Sequence, residues 1–453
     1  MKRLWLVLLS LGLVMAFSVS ALAVDVKFSG EYYAQGMYLD RTNLLDESDG
    51  NDPSTAFFFQ RFRLGTDFIV SPCLKLVTRV DIMERTWEPD TAANYAPYDA
   101  TNKTYGNADA RNVDWDIAYV DYTSPIGLFQ VGYMEDYTWG TVWGNRTTGP
   151  TTGQIKYFVP IGPVTMVFAY AKEEENNLSI QGGYQAEDVD FDSYRVGPIF
   201  KFKSDAAAGE AGVLFIYNNV NQYRVLPLTL TTAPFKQDMY FIQPYFKAKF
   251  GPVSMQGEIN YAFGERDFET DLVDDQDINS LTAWLDADAN FGMFSVGGSL
   301  AYVQGDDDPD EINDALTGGR DWNPCLIMNN NNMFYTWIGP INNPALHVAT
   351  EPFKYSVDGE LVNVIFGQVR ASVTPIPELT AGMSLSYAQA DEDFGGDNDK
   401  GFEVDITGTY KITNNLSYML GVGYLKTGDF YKGETDADLD DDYVVLNKLT
   451  LSF

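Results

Sequence analysis

The stretch Tyr443-Val-Val-Leu-Asn-Lys-Leu-Thr-Leu-Ser-Phe453 alternates with a period of two. Leu449, Leu451 and Phe453 fall on one face; Lys448, Thr450 and Ser452 fall on the other. A strand with one apolar and one wet face normally lies over a soluble core. A chain that stops on an exposed Phe is unusual in such a domain, so the rest of the sequence has to decide between a core and a lipid phase.

The same alternation recurs upstream. Between Phe58 and Val70, Phe58, Phe62, Leu64, Phe68 and Val70 share a face against Arg61, Arg63 and Asp67. Between Leu76 and Trp87, Leu76, Val80 and Ile82 oppose Arg79, Asp81 and Arg85. Between Tyr240 and Phe250, Tyr240, Ile242, Phe246 and Phe250 oppose Gln243, Tyr245, Lys247 and Lys249, with Pro244 weakening the ladder locally. Eight short Pro/Gly/Asn/Ser turns, at 71–73, 124–127, 160–163, 204–209, 251–252, 291–293, 374–378 and 413–415, alternate with nine longer connections. The longer ones cover roughly 40–56, 88–111, 140–150, 173–188, 222–236, 265–279, 304–357, 391–400 and 428–442. Nine hairpins predict an antiparallel transmembrane β-barrel of 18 strands; the poorly patterned stretch 205–235 keeps 16 strands as the alternative. A soluble β-sandwich shows the same alternation. Against it stand the segregation of short turns from long loops, aromatics near strand ends (Tyr119, Tyr122, Phe129, Tyr133, Phe246, Phe250), and the need of so large a sheet to close or split.

Lys2 and Arg3, the apolar run Leu4 to Val19 and then Ala21-Leu22-Ala23 read as a secretory signal peptide over 1–23, with the barrel domain over 24–453. An N-terminal anchor is the alternative, but the run is short for a span of about 20 residues. Residues 1–23 hold two cations and no acids, so the formal charge of −34 becomes −34 − 2 = −36 for 24–453. That excludes nucleic acid as a partner. Aromatics at 14% with 39 glycines argue against disorder. Cys73 and Cys325 suggest one disulfide by default in an oxidising compartment, but the strand order puts them at opposite ends of a barrel, and they are expected not to pair.

The leader, the strand Val26-Lys-Phe-Ser-Gly-Glu-Tyr, the run Phe-Gln-Arg-Phe-Arg63 and the terminal Leu-Ser-Phe453 resemble Gram-negative outer-membrane porins, nearest the porin-like proteins of sulfate- and metal-reducing bacteria. The resemblance implies an outer-membrane location, contact with lipid and lipopolysaccharide, a terminal aromatic read by the barrel assembly machinery, and a homotrimer. It also implies a basic ladder on the wall facing acids on an inward-folded loop.

If the apolar faces meet lipid, the opposite faces line a pore. Its expected cations are Arg61, Arg63, Arg79, Arg85, Arg195, Lys201, Lys203, Lys247 and Lys249, and its acids Asp67, Asp81, Asp114 and Asp116; the surplus acid sits in the loops. A tight turn at Pro72–Cys73 pairs positions whose numbers sum to about 146, which sets Asp67 opposite Arg79, Arg61 opposite Arg85 and Asp81 diagonal to Arg63. Like charges face to face need compensation, so Arg61, Arg63 and Arg85 are the expected constriction, with Asp67–Arg79 as a wall-stiffening ion pair. Two loops compete to fold inward. The third, Trp139-Gly-Thr-Val-Trp-Gly-Asn-Arg146, is the one the resemblance implies, but it carries few acids; the longest, 304–357, holds more apolar surface than an exposed loop normally does. That segment is expected inside the barrel or against a neighbouring subunit.

Asp436-Ala-Asp-Leu-Asp-Asp-Asp442 has the acid density of a calcium loop but lacks the glycine and distal Glu of an EF-hand, and reads as a solvated loop with divalent bridging to lipopolysaccharide at most. Enzyme chemistry has little to use. The single His347 rules out a two-His zinc motif, there is no G-x-S-x-G, and neither cysteine starts C-x-x-C-H. No catalytic residue, metal or cofactor is expected. Two functions remain: a water-filled diffusion channel for small hydrophilic solutes, or a structural shell plugged by its long loop or by a partner such as an electron carrier. The negative mouth favours cations and the Arg wall holds anions or polar solutes.

Overall fold

Inside a bilayer a strand edge leaves N–H and C=O groups with no water to bond, and only closure removes both edges. The computed structural model describes residues 24–40, 44, 46, 54–87, 113–135, 139–145, 151–175, 190–222, 235–268, 273–306, 308, 310–328, 361–393, 397–432 and 438–453, and the chain closes within them. Its strands are β1 (Asp25–Leu39), β2 (Thr55–Ser71), β3 (Leu74–Thr86), β4 (Val113–Ser124), β5 (Gly127–Glu135), β6 (Thr151–Ile161), β7 (Val164–Glu175), β8 (Asp190–Lys203), β9 (Ala207–Gln222) and β10 (Phe235–Phe250). They continue as β11 (Val253–Phe268), β12 (Gln276–Phe291), β13 (Phe294–Val303), β14 (Glu311–Ile312), β15 (Val364–Ile376), β16 (Leu379–Gln389), β17 (Asp399–Lys411), β18 (Leu416–Thr427) and β19 (Asp442–Ser452).

All but β14 are long, and each pairs antiparallel with its neighbours, making an 18-strand barrel. β14 is a two-residue piece of the long loop that runs parallel to the end of β12. The eight short turns lie where the Pro/Gly signals place them, and the strand ends joined by the nine longer connections all lie at the opposite rim. The weakly patterned stretch after 205 holds a full strand, β9, which removes the 16-strand alternative. Pro244 keeps its place in β10 opposite Val213, while the ladder to β11 skips from Ile242–Tyr261 to Tyr245–Glu258, as the missing N–H requires.

The seam joins the first and last strands, from Glu31 opposite Ser452 to Leu39 opposite Val444. It ends in a reciprocal pair: Gly30 N–H donates to the Phe453 carbonyl at 2.9 Å and Phe453 N–H donates to the Gly30 carbonyl at 3.0 Å. The Phe453 ring lies over Gly30 and 6.3 Å from the Phe62 ring. Gly30 is needed there because a Cβ would sit 2.7 Å from that ring.

The outward face is apolar and uncovered: Trp115, Tyr133, Leu300 and Val369 are each more than 60% exposed. Around β7–β11 an outward row of Tyr170, Tyr194, Tyr217, Tyr240 and Phe263 runs from strand to strand, with neighbouring rings 5.1 to 6.0 Å apart. The Tyr170 and Tyr217 hydroxyls donate to Asp192 and Asp238 at 2.8 and 2.5 Å. Rings with an apolar body and a hydrogen-bonded tip suit the membrane–water boundary.

Substituting Gly30→Ala should lower barrel stability by about 1–3 kcal/mol through overpacking at the seam. Urea unfolding in vesicles, followed by Trp fluorescence, checks this; the loss should shrink in a Phe453→Ala background, where the ring is absent.

Candidate functional site

The barrel interior is divided. One side is packed, because the inner faces of β1, β15, β18 and β19 turn apolar toward the loop end: Met37, Leu39, Phe366, Leu425, Val444 and Leu446 are buried there. Apolar residues on both faces of a strand mean that something covers the inside. Two loops do so.

Residues 139–145, after β5, enter the lumen and are held by their backbone. Glu258 accepts both the N–H and the hydroxyl of Thr141 at 2.8 Å, Lys247 donates to the Gly140 carbonyl at 2.8 Å, and the Trp143 indole donates to Thr282 at 3.1 Å. Residues 311–328 of the long loop stack on them. The Trp143 carbonyl accepts the N–H groups of Gly319 and Arg320, and Trp143, Trp284 and Trp322 form a cluster with centroids 5.6 to 6.0 Å apart. A Cβ on Gly318 would overlap the Trp143 ring, so the glycine lets the loops meet.

The far end of the described segment 311–328 is fastened to β17. Glu403 is fully buried and accepts the N–H groups of Leu326, Ile327 and Met328 at 2.9, 2.7 and 2.6 Å. Gln368 donates to the Pro324 carbonyl at 2.6 Å. The choice between inward loops therefore resolves as both, and within its described part the long loop lies inside the barrel. His347 and residues 329–360 lie outside the described residues, as does the proposed leader.

The other side, β2–β5, carries the charge. Arg63 lies directly across from Asp81 and holds it through two hydrogen bonds, at 2.7 and 2.6 Å; it also reaches Asp116 at 3.4 Å. Arg79 pairs with Asp116 at 3.1 Å and with Glu135. Arg61 pairs with Glu84 at 3.6 Å and stands over the Tyr33 ring, as does Lys448 at 4.3 Å. Asp81, Arg63, Asp116, Arg79 and Glu135 form one chain of alternating sign across β2–β5, with the Arg61–Glu84 pair beside it. In water such pairs are worth little each, but linked and half-covered they hold one another's rotamers.

This geometry corrects the expected register. The β2–β3 ladder pairs Ser71 with Leu74, then slips, so that Asp67 faces Val77 and Gly65 faces Arg79. Asp67 is bonded to Lys75 at 3.0 Å instead of Arg79. Arg63 and Asp81 are opposite, not diagonal. Arg61 does not face Arg85, because a bulge at Met83, whose φ is +51°, leaves Arg85 opposite Gln60. That moves Arg85 to the outward side, with Phe58 stacked on Trp87 at 5.0 Å and the Trp87 indole donating to Gln60 at 2.8 Å. Sequence reasoning missed Asp116, Glu135 and Glu84 as partners. Asp116 occupies a β4 bulge, where the ladder passes from Arg79–Ile117 to Val80–Trp115. Cys73 is exposed in the β2–β3 turn; Cys325 is buried beside Ser386. Of the acidic stretch 436–442, Asp441 accepts the Thr427 N–H and Asp440 N–H donates to the Leu44 carbonyl, so these residues tie loops together at the mouth.

Neither a family model nor a curated protein matches the sequence. Solved structures do match the fold. The outer membrane protein OpdK of Pseudomonas aeruginosa aligns over 94% of this chain and 99% of its own at 11% identity, with a TM-score of 0.50. OccK9 (OpdG) and OccK2 (OpdF) of the same organism give 13% and 12% identity, 94% of this chain, 99% and 98% of theirs, and TM-scores of 0.52 and 0.51. The fold is that of outer-membrane porins.

Gly318→Leu should push residues 311–328 off Trp143, an overpacking cost of about 1–3 kcal/mol confined to the loop. Limited proteolysis of the folded barrel should then cut within this segment, where the wild type resists, while the heat-modifiable gel mobility of the barrel is retained.

Proposed function

We propose that this chain is an outer-membrane diffusion channel of the porin type, passing small hydrophilic solutes and ions without chemistry. The observation that carries it is the set of paired charges Arg61–Glu84, Arg63–Asp81, Arg63–Asp116, Arg79–Asp116 and Arg79–Glu135 on the inner wall away from the apolar cluster of 139–145 and 311–328. A packed interior would not keep so many ionised groups. Arg61, Arg63 and Arg79, with Asp81, form the constriction wall; Asp67 stands nearer the turns, and Arg85 has no part in it. Because each arginine is neutralised by an acid, the wall is a row of dipoles suited to polar solutes of either sign. This replaces a bare basic patch and leaves the sign of selectivity to the acidic mouth. Location in the outer membrane with contact to lipid and lipopolysaccharide follows from the same reading.

The shell reading has one observation in its favour, the apolar cluster joining the two loops to β1 and β15–β19. It predicts a folded barrel that does not conduct.

The test is the reversal potential of the refolded protein in a salt gradient across a planar bilayer. Arg63→Ala/Arg79→Ala leaves Asp81, Asp116 and Glu135 without their cations, and cation preference should rise by about two- to fivefold. A double variant with unchanged selectivity would place the ion path elsewhere.

A further inference from the structure

On the inner face of β15–β17 the register sets Gln368, Ser386 and Glu403 on one rung and Arg370, Ser384 and Asp405 on the next. Residues 324–328 of the long loop bring Cys325 onto these rungs, where its Sγ donates to Ser386 Oγ at 3.2 Å. The thiol sulfur and one oxygen from each of Glu403 and Asp405 lie within 4.8 Å of one another, and all three residues are at least 96% buried.

The charges on the rungs do not close among the described residues. Glu403 is offset by three backbone N–H groups, but Asp405 has no such set. Its Oδ2 accepts from Ser384 at 3.1 Å, and its buried Oδ1 has no hydrogen-bond partner. Arg370, the cation on the same rung, directs its guanidinium to Asp286 and Asp288. Two carboxylates side by side in a dry site need a cation or a shared proton. A shared proton would join the two carboxyl groups to each other and leave the thiol on Ser386; a metal ion uses all three groups as ligands.

We propose that Cys325, Glu403 and Asp405 bind a divalent metal ion of the zinc type, which pins the inward loop to the barrel wall. Zinc takes thiolate sulfur at about 2.3 Å and carboxylate oxygen at about 2.0–2.2 Å, and tetrahedral bonds of that length hold donors roughly 3.3–3.8 Å apart. The observed spacing needs only a small contraction. A cavity of about 360 Å³, lined by Asn323, Cys325, Arg370, Ser384 and Asp405 among others, adjoins the site, supplying a route for the ion and room for a water as fourth ligand. Binding releases the thiol proton and couples the loop to metal supply.

The experiment titrates the refolded full-length barrel, stripped by chelator, with Co²⁺ in a Cys73→Ser background, so that the exposed turn thiol is silent. The expected result is one equivalent bound with a thiolate-to-cobalt charge-transfer band that Zn²⁺ abolishes. Cys325→Ser should lose the band, and Asp405→Asn should weaken binding by about tenfold or more. Native mass spectrometry of the zinc-loaded Cys73→Ser protein should show a single metal adduct, independently of whether either variant folds. Absence of both band and adduct would overturn the proposal in favour of the shared proton. A band that persists in Cys325→Ser, or unchanged affinity in Asp405→Asn, would overturn the ligand assignment.

Discussion

Everything in this molecule depends on pairing the first strand with the last. A bilayer offers no hydrogen bonds, so an open edge on β1 or β19 would leave a row of polar groups in hydrocarbon. Closing the seam by the exchanged Gly30–Phe453 bonds fixes the number of strands, and so a lumen wider than side chains from the wall alone can fill. The outward face must then be apolar and the inward face is left free to vary. That freedom is where function resides.

The chain uses it unevenly. Toward the loop end the inner faces of β1, β15, β18 and β19 are apolar, and 139–145 and 311–328 fold onto them through buried acceptors, Glu258 and Glu403. On β2–β5 the inner face carries paired charges instead. Lumen narrowing is thus a packing event, driven by apolar burial on one side, with the charged wall standing on the other. Carboxylates that accept backbone N–H groups are strong anchors, because breaking them strands buried donors.

Much of this was legible in the sequence. Period-two alternation, Pro/Gly turns such as Gly251-Pro252 and loops of unequal length point to a barrel of 18 strands, and the apolar residues of Ala315–Thr350 point to a loop that does not stay outside, as its described part 315–328 does not. Register was not legible. The slip after Ser71 and the bulge at Met83 depend on how two strands twist against each other, not on either strand's own pattern, and they decide that Arg63 meets Asp81 while Arg85 turns outward. Asp116, expected in the lining, and Glu135 were not matched to their arginines for the same reason: each belongs to a different strand from its partner. Glu403 gave no signal at all, since an inward acid on a barrel strand looks like any pore-lining residue until a loop arrives above it.

The most direct test of the account is single-channel recording of the refolded wild-type chain in a planar bilayer. An open path beside the charged wall predicts stable conductance steps, with larger steps once residues 311–328 are deleted from the loop. A fully folded, heat-modifiable barrel that carries no current until the loop is removed would contradict it and make the inward loops a plug.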